Sequence, residues 1–283
     1  MLMQTHHLTT EIENNVTVAL TEDVGAGDWT AMLLPAEQTR SGKVICRDHA
    51  VLCGQAWFEA CFKRLDPNIE LTWHIAEGAA MQSNDTVCTF TGKTRALLTA
   101  ERPALNFLQT LSGVATKTRE YAQVVAGTNA VVMDTRKTLP GLRLAQKYAV
   151  RVGGGANQRI GLYDGILIKE NHIAGAGGVV PALNAAKALN AGVSIQVEVE
   201  TLAQLSDALD WGCTLILLDN FSLDQVREAV RINAGRAKLE VSGGVNLTTL
   251  RAIAETGVDR ISIGTLTKDV QSVDFSMRLD SFN

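Results

Sequence analysis

Two hydrophobic rhythms divide this chain near residue 130. Before it, the short alternating runs KVICR (43–47), IELTWHI (69–75) and TVCTFTG (86–92) read as half-buried strands. They surround QAWFEACFKRL (55–65), whose apolar positions recur at helical spacing, so this half predicts an α+β sandwich. A long helical stretch follows from Arg95 to Ala126, with Leu97, Leu98, Leu105, Leu108 and Leu111 as apolar positions. Ser112 with Gly113 predicts a joint in it. Pro103, which has no amide hydrogen and clashes one turn back, predicts a start or kink.

From Ala130 onward, β-rich runs alternate with amphipathic helices. The strands are expected at AVVMD (130–134), GILIK (165–169), IQVEV (195–199), LILLD (215–219), LEVS (239–242) and RISIG (260–264). Between them lie VVPALNAAKALN, LAQLSDALDW, LDQVREAVRIN and NLTTLRAIAET. The alternation predicts an α/β fold whose C-terminal part is a parallel β/α barrel of about six strands, partly open. The expected division is an N-terminal α+β domain with long helices over 1–127, a barrel domain over 128–269, and a tail, 270–283, packing back on the first.

The expected strands end in polar residues: Asp134 followed by Arg136 and Lys137, Lys169 with Glu170, Glu198 with Glu200, Asp219 with Asn220, Ser242 with Gly243, and Gly264. Parallel barrels gather such ends around one opening, where barrel enzymes act. Taken singly, each also reads as a helix cap or a βα turn.

Charge sharpens this picture. The chain carries a formal net charge of -4, yet between Arg136 and Lys169 it has seven Lys or Arg residues against one acidic residue, Asp164. Like charges 5 Å apart repel by about 3 kcal/mol at an effective dielectric near 20, so this crowding predicts a small, multiply anionic ligand. General nucleic-acid binding is not expected of an acidic protein. At 283 residues and 46% hydrophobic, the chain can bury a large core. It has no run of eighteen apolar residues and no basic, apolar leader, so a cytoplasmic protein without membrane association is expected. The five cysteines are widely spaced with no CxxC, which predicts reduced thiols and neither disulfide nor structural zinc.

A division of labour follows. Arg136, Arg159 and Lys169 suit carboxylate or phosphate, because guanidinium forks bind two oxygens. Glu198 and Asp219 end neighbouring strands, and two carboxylates at one mouth can hold Mg2+ that keeps its waters and grips substrate phosphates. The runs SGG (242–244) and IGT (263–265) offer backbone amides before a helix, suited to a terminal phosphate. Arg143, Lys147 and Arg151 recur every four residues, which reads as an anion-facing stripe or, the preferred reading that leaves them out of the site, a solvated helix face. His172 reads as packing beside Lys169, and Glu200 either shares a face with Glu198 or caps the next helix.

The runs TRKTLPGLR, KYAV, GGGANQR, LIKENH, VEVE, LLDNF and VSGG, preceded by ERPALNFLQTLSGVAT, cover nearly the whole chain. Together they resemble quinolinate phosphoribosyltransferase, the carboxylating nicotinate-nucleotide pyrophosphorylase family. The resemblance implies that quinolinate and phosphoribosyl pyrophosphate are joined with Mg2+ to give nicotinate mononucleotide, pyrophosphate and carbon dioxide for NAD synthesis. A molybdenum-transport-associated paralogue, which shares the fold and parts of the pattern, is the alternative. By resemblance, Arg136, Lys137, Gln158 and Arg159 bind quinolinate, with Arg102 reaching in from the second subunit of a homodimer. Lys169, Glu198 and Asp219 meet the phosphoribosyl pyrophosphate and its metal as the catalytic set, and Ser242, Gly243 and Gly264 bind phosphate. The family usually has His where this chain has Gln158, and a small residue where it has Pro103. Gln cannot carry a proton but can donate a hydrogen bond to a carboxylate.

Overall fold

The computed structural model describes residues 5–281. In chain order it runs α1 (Thr5–Val24), β1 (Thr39–Cys46), β2 (Ala50–Val51), α2 (Gln55–Leu65), β3 (Glu70–Trp73), β4 (Ala80–Met81), β5 (Thr86–Lys93) and α3 (Thr94–Val124). It continues with β6 (Val131–Met133), α4 (Arg143–Val152), β7 (Gly165–Ile168), α5 (Glu170–Ala176), α6 (Val179–Ala188), β8 (Ser194–Val199), α7 (Leu202–Trp211) and β9 (Leu215–Asp219). It closes with α8 (Leu223–Asn233), β10 (Lys238–Ser242), α9 (Leu247–Ala254), β11 (Arg260–Ser262), α10 (Thr265–Lys268) and β12 (Phe275–Leu279). Two compact units interleave. One holds the chain up to Arg119, Leu139–Gly154 and the chain from Thr267; the other holds Glu120–Thr138 and Gly155–Leu266. The helix α4 therefore lies with the first unit rather than with the β/α repeats that flank it in sequence.

In the first unit an antiparallel sheet has the order β12-β1-β5-β3, with the C-terminal strand β12 paired along β1 from Gly42 opposite Leu279 to Cys46 opposite Phe275. Gly42 permits this: a Cβ there would lie 2.4 Å from the Arg278 carbonyl and 2.7 Å from the Phe90 ring. Helix α2 buries Trp57, Phe58, Cys61 and Phe62 completely, the i, i+4 stripe its sequence predicts. Phe62 stacks on Phe58 at 4.7 Å and meets Phe90 of β5 at 6.0 Å. Each such side chain contributes about 1.5–3 kcal/mol through burial.

The long helix α3 runs unbroken from Thr94 to Val124 with Pro103 inside it, so Pro103 starts no new helix and Ser112 with Gly113 does not break it, contrary to those expectations. Close packing explains both residues. The Ser112 hydroxyl accepts from the Cys53 amide at 2.9 Å and donates to the Cys53 carbonyl at 3.1 Å, while a Cβ on Gly113 would sit 2.2 Å from the Gln271 carbonyl. Within α4 the expected solvated face is also corrected. Lys147 is fully buried and only Arg151 is exposed, because the helix is enclosed on more than one side. The five cysteines are buried free thiols. No helix among the described residues is long and apolar enough to cross a membrane.

The second unit carries a six-stranded sheet, ordered β6-β11-β10-β9-β8-β7, with every pairing parallel. Consecutive strands from β7 to β11 are neighbours, each joined to the next by helix. Thr201, Ser222 and Asn246 cap α7, α8 and α9 through their side chains. Period-2 alternation gives the strands two different faces. Val197, Val199, Ile216, Leu218, Leu239, Val241 and Ile261 are buried on one, the surface that amphipathic helices need. The other carries Gln196, Glu198, Glu240 and Ser262, polar yet buried.

Candidate active site

Register builds the site at the C-terminal ends of these strands. Ile168 pairs with Val197, so Lys169 and Glu198 stand side by side as the next residues of β7 and β8. Glu198 pairs with Leu217, placing Asp219 two residues on along the same face of β9, and Asp219 pairs with Ser242 of β10. The Lys169 Nζ lies 3.0 and 3.3 Å from the two Glu198 carboxylate oxygens. Glu198 is 8% exposed, and burial raises its pKa above the ordinary carboxylate range despite that lysine; the charges of Asp219 and Glu170 push the same way. His172 sits in the first turn of α5, where its Nδ1 accepts the Lys169 amide at 3.0 Å and fixes the backbone that carries the lysine.

The phosphate-loop candidates also converge. Asn220 adopts a left-handed φ of 56°, and its side chain donates to Asp219 at 2.8 Å. Gly243 has φ +101°, and a Cβ there would lie 2.3 Å from the Asn220 Oδ1, so both backbone conformation and space demand glycine. A Cβ on Gly264 would meet the Lys137 side chain at 3.0 Å, which brings two expected site residues together after β11 and β6.

The same unit also holds the cations Arg136, Lys137 and Arg159. Arg159 donates from Nη1 to the Gly165 carbonyl at 2.8 Å. Its pKa is lowered first by burial and then by the nearby charge of Arg136, while Asp164 offsets part of the shift. Arg136 and Lys137 are exposed. Gln158 is placed differently from the expectation that it donates to a ligand. Its Nε2 donates to both Glu240 oxygens at 2.5 Å and to Gln196 at 3.2 Å, so this donor is committed to the protein's own interior. Arg102 is an exposed residue of α3 in the first unit.

Sequence reasoning missed Glu240 and Gln196 in the buried polar layer of this sheet, and read Asp134 only as a polar strand end. Glu240 also accepts from Gln196 at 3.0 Å and from the Ser262 hydroxyl at 2.6 Å. Asp134, fully buried, accepts from the Gln158 amide at 2.8 Å and from Asn157 at 2.6 Å. The usable signal was the parity of LEVS: Glu240 shares a strand face with Ser242, two residues before it.

This chain matches the family model "Quinolinate phosphoribosyl transferase, N-terminal domain" over residues 28–112 and the corresponding C-terminal domain over residues 114–278. The chain belongs to the quinolinate phosphoribosyltransferase family. It is 41% identical over 257 residues to a probable nicotinate-nucleotide pyrophosphorylase (carboxylating) of Bacillus subtilis, covering 90% of this chain and 89% of the relative. A Mycobacterium leprae nicotinate-nucleotide pyrophosphorylase (carboxylating) is 41% identical over 271 residues, covering 92% and 94%. The solved nicotinate-nucleotide pyrophosphorylase of Francisella tularensis superposes with a TM-score of 0.93 at 41% identity, covering 96% of this chain and 97% of that one. Quinolinate phosphoribosyltransferases are pentosyltransferases, the class of enzyme to which this chain belongs.

Proposed function

We propose that this protein transfers the phosphoribosyl group of phosphoribosyl pyrophosphate to the ring nitrogen of quinolinate, yielding nicotinate mononucleotide, pyrophosphate and carbon dioxide in NAD biosynthesis. The observation that carries this reading is the charge division at one set of strand ends: guanidinium groups at Arg136 and Arg159, and a lysine–carboxylate set at Lys169, Glu198 and Asp219. Arg136, Lys137 and Arg159 hold the two quinolinate carboxylates. Gly243, Ser242 and Gly264 present backbone to the phosphates.

No protein nucleophile is required. The pyridine nitrogen displaces pyrophosphate from C1 of the ribose, and Lys169 meets the charge that develops on the departing oxygen. The new N–C bond makes the ring a pyridinium. The adjacent C2–carboxylate bond then breaks, carbon dioxide leaves, its electron pair remains on C2, and a proton restores the ring.

The residues present fit a magnesium ion. Glu198 and Asp219 oppose each other's charge, a repulsion that a bound divalent cation relieves. Among the described residues no three His, Cys, Asp or Glu side chains gather as a closed metal site, consistent with an ion that takes its remaining ligands from water and substrate. When bound, it would supply charge neutralisation on the diphosphate.

A barrel is the architecture we infer for the sheet. Ala156 bridges Met133 beside β6, and Gln158 follows two residues later. Five ladder spacings, about 24 Å in a flat sheet, would separate that position from β8, yet Gln158 lies 3.2 Å from Gln196. A sheet curled on itself brings them together. We also propose a cytoplasmic homodimer with shared active sites, to which Arg102 of the second copy adds a cation.

Incubating the protein with quinolinate, phosphoribosyl pyrophosphate and Mg2+ tests the reading, with nicotinate as the control substrate. Nicotinate mononucleotide from quinolinate alone supports it. Product from nicotinate, or binding of neither substrate as a molybdenum-associated paralogue would show, refutes it.

A further inference from the structure

We propose that Glu240 is a positioning residue for the diacid site, acting through Gln158 on Arg159. This deepens the functional reading above and rests on it for the identity of the ligand. Glu240 is fully buried, and its hydrogen-bond partners are the neutral side chains of Gln158, Gln196 and Ser262. The Glu240 oxygens accept in every one of these bonds, so they decide which end of the Gln158 amide faces them. The NH2 group turns inward to Glu240, which leaves Oε1 to accept the Arg159 backbone amide at 3.2 Å.

Arg159 is thereby held at both ends. Its amide is bound by Gln158 and its guanidinium by the Gly165 carbonyl at 2.8 Å, while Asp134 anchors the preceding backbone through the Gln158 amide at 2.8 Å. Two buried carboxylates thus grip the 157–159 loop, Asp134 through its backbone and Asn157, Glu240 through the Gln158 side chain. The second grip sets donor and acceptor sense. A buried acid in this place does work that an apolar residue of equal volume could not, because no apolar group can orient an amide.

The isosteric substitution Glu240→Gln isolates that property. An amide at position 240 supplies its own donor. If Gln158 turns to accept it, the Gln158 NH2 then opposes the Arg159 N–H, donor against donor. The exchanged pair Glu240→Gln with Gln158→Glu restores an acceptor for Arg159 and keeps the charge count.

The test compares wild type, Glu240→Gln and the exchanged pair by steady-state kinetics, by hydrogen exchange at the Arg159 amide and by thermal melting. In Glu240→Gln we expect the quinolinate KM to rise about tenfold with the phosphoribosyl pyrophosphate KM within about twofold, the loss of roughly one hydrogen bond's worth of orientation. Arg159 exchange should quicken while the fold is kept, and the exchanged pair should recover both. Unchanged Arg159 exchange, or equal rises in both KM values with no recovery in the pair, would overturn the proposal. Wild type inert toward quinolinate would instead refute the functional reading, and the exchange measurement would still decide the role of Glu240.

Discussion

Lys169 and Glu198 form an ion pair at 3.0 Å in which the acid is almost fully buried and the lysine side chain stays 45% exposed. The pair is asymmetric: Glu198 has given up water for a partner only half withdrawn from it. Desolvation outweighs the lysine's attraction, so the carboxyl is held above its ordinary value of 4.5.

Replacing this acid should therefore separate stability from function. We expect Glu198→Gln to melt at or above the wild-type temperature, because it removes a strained buried charge, while turnover falls by about 100-fold. Melting curves and kcat on the same preparation check this.

The sign of the pH dependence follows from the same group. A carboxyl raised on folding makes its ionised form a cost to stability above the folded pKa, and that cost is removed as pH falls through it. The proposed magnesium site needs the ionised form. On the acid side, kcat/KM for phosphoribosyl pyrophosphate should thus fall at a pH above that of an unperturbed glutamate, whereas unfolding free energy should gain a stabilising contribution over the same interval. Wild-type and Glu198→Gln pH profiles read both, and the acid limb should be absent in the variant.

At the cationic side, Arg136→Ala and Arg159→Ala should each raise the quinolinate KM by about 10- to 100-fold, the range expected for one charge-assisted bond. Asp219→Ala should instead raise the magnesium and phosphoribosyl pyrophosphate requirements. Steady-state kinetics with each substrate varied in turn separates the two patterns.

Two adjacent glycines should respond differently to a methyl group. Gly243 and Gly244 have φ of +101° and +61°, but only Gly243 would place a Cβ against Asn220, whereas nothing lies within 4 Å at Gly244. We expect Gly244→Ala to cost about 1 kcal/mol and Gly243→Ala more, about 2–3 kcal/mol, with loss of phosphate affinity. Denaturant titration measures the difference.

The second unit was legible because its strands are buried parallel runs whose period changes sharply at each turn. LILLD, LAQLSDALDW and LDQVREAVRIN coincide with β9, α7 and α8 residue for residue. The polar strand ends were legible for the same reason, since register carries Lys169 to Glu198 and Asp219 to Ser242. Long-range contacts were not. Ser112 and Gly113 look like a joint in isolation and are packing residues against Cys53 and Gln271. Lys147 has the spacing of a surface stripe and lies buried, and α1 has too sparse an apolar periodicity to announce itself. Glu240 was hidden in an apolar run, where only its partners on other strands reveal it.

The most direct test of a diacid seated beside a phosphoribosyl diphosphate is stoichiometry with quinolinate labelled in its 2-carboxylate. Carbon dioxide and pyrophosphate should appear one for one, and neither should form when either substrate is withheld. Carbon dioxide released without pyrophosphate, or nucleotide formed with the label retained, would contradict the account.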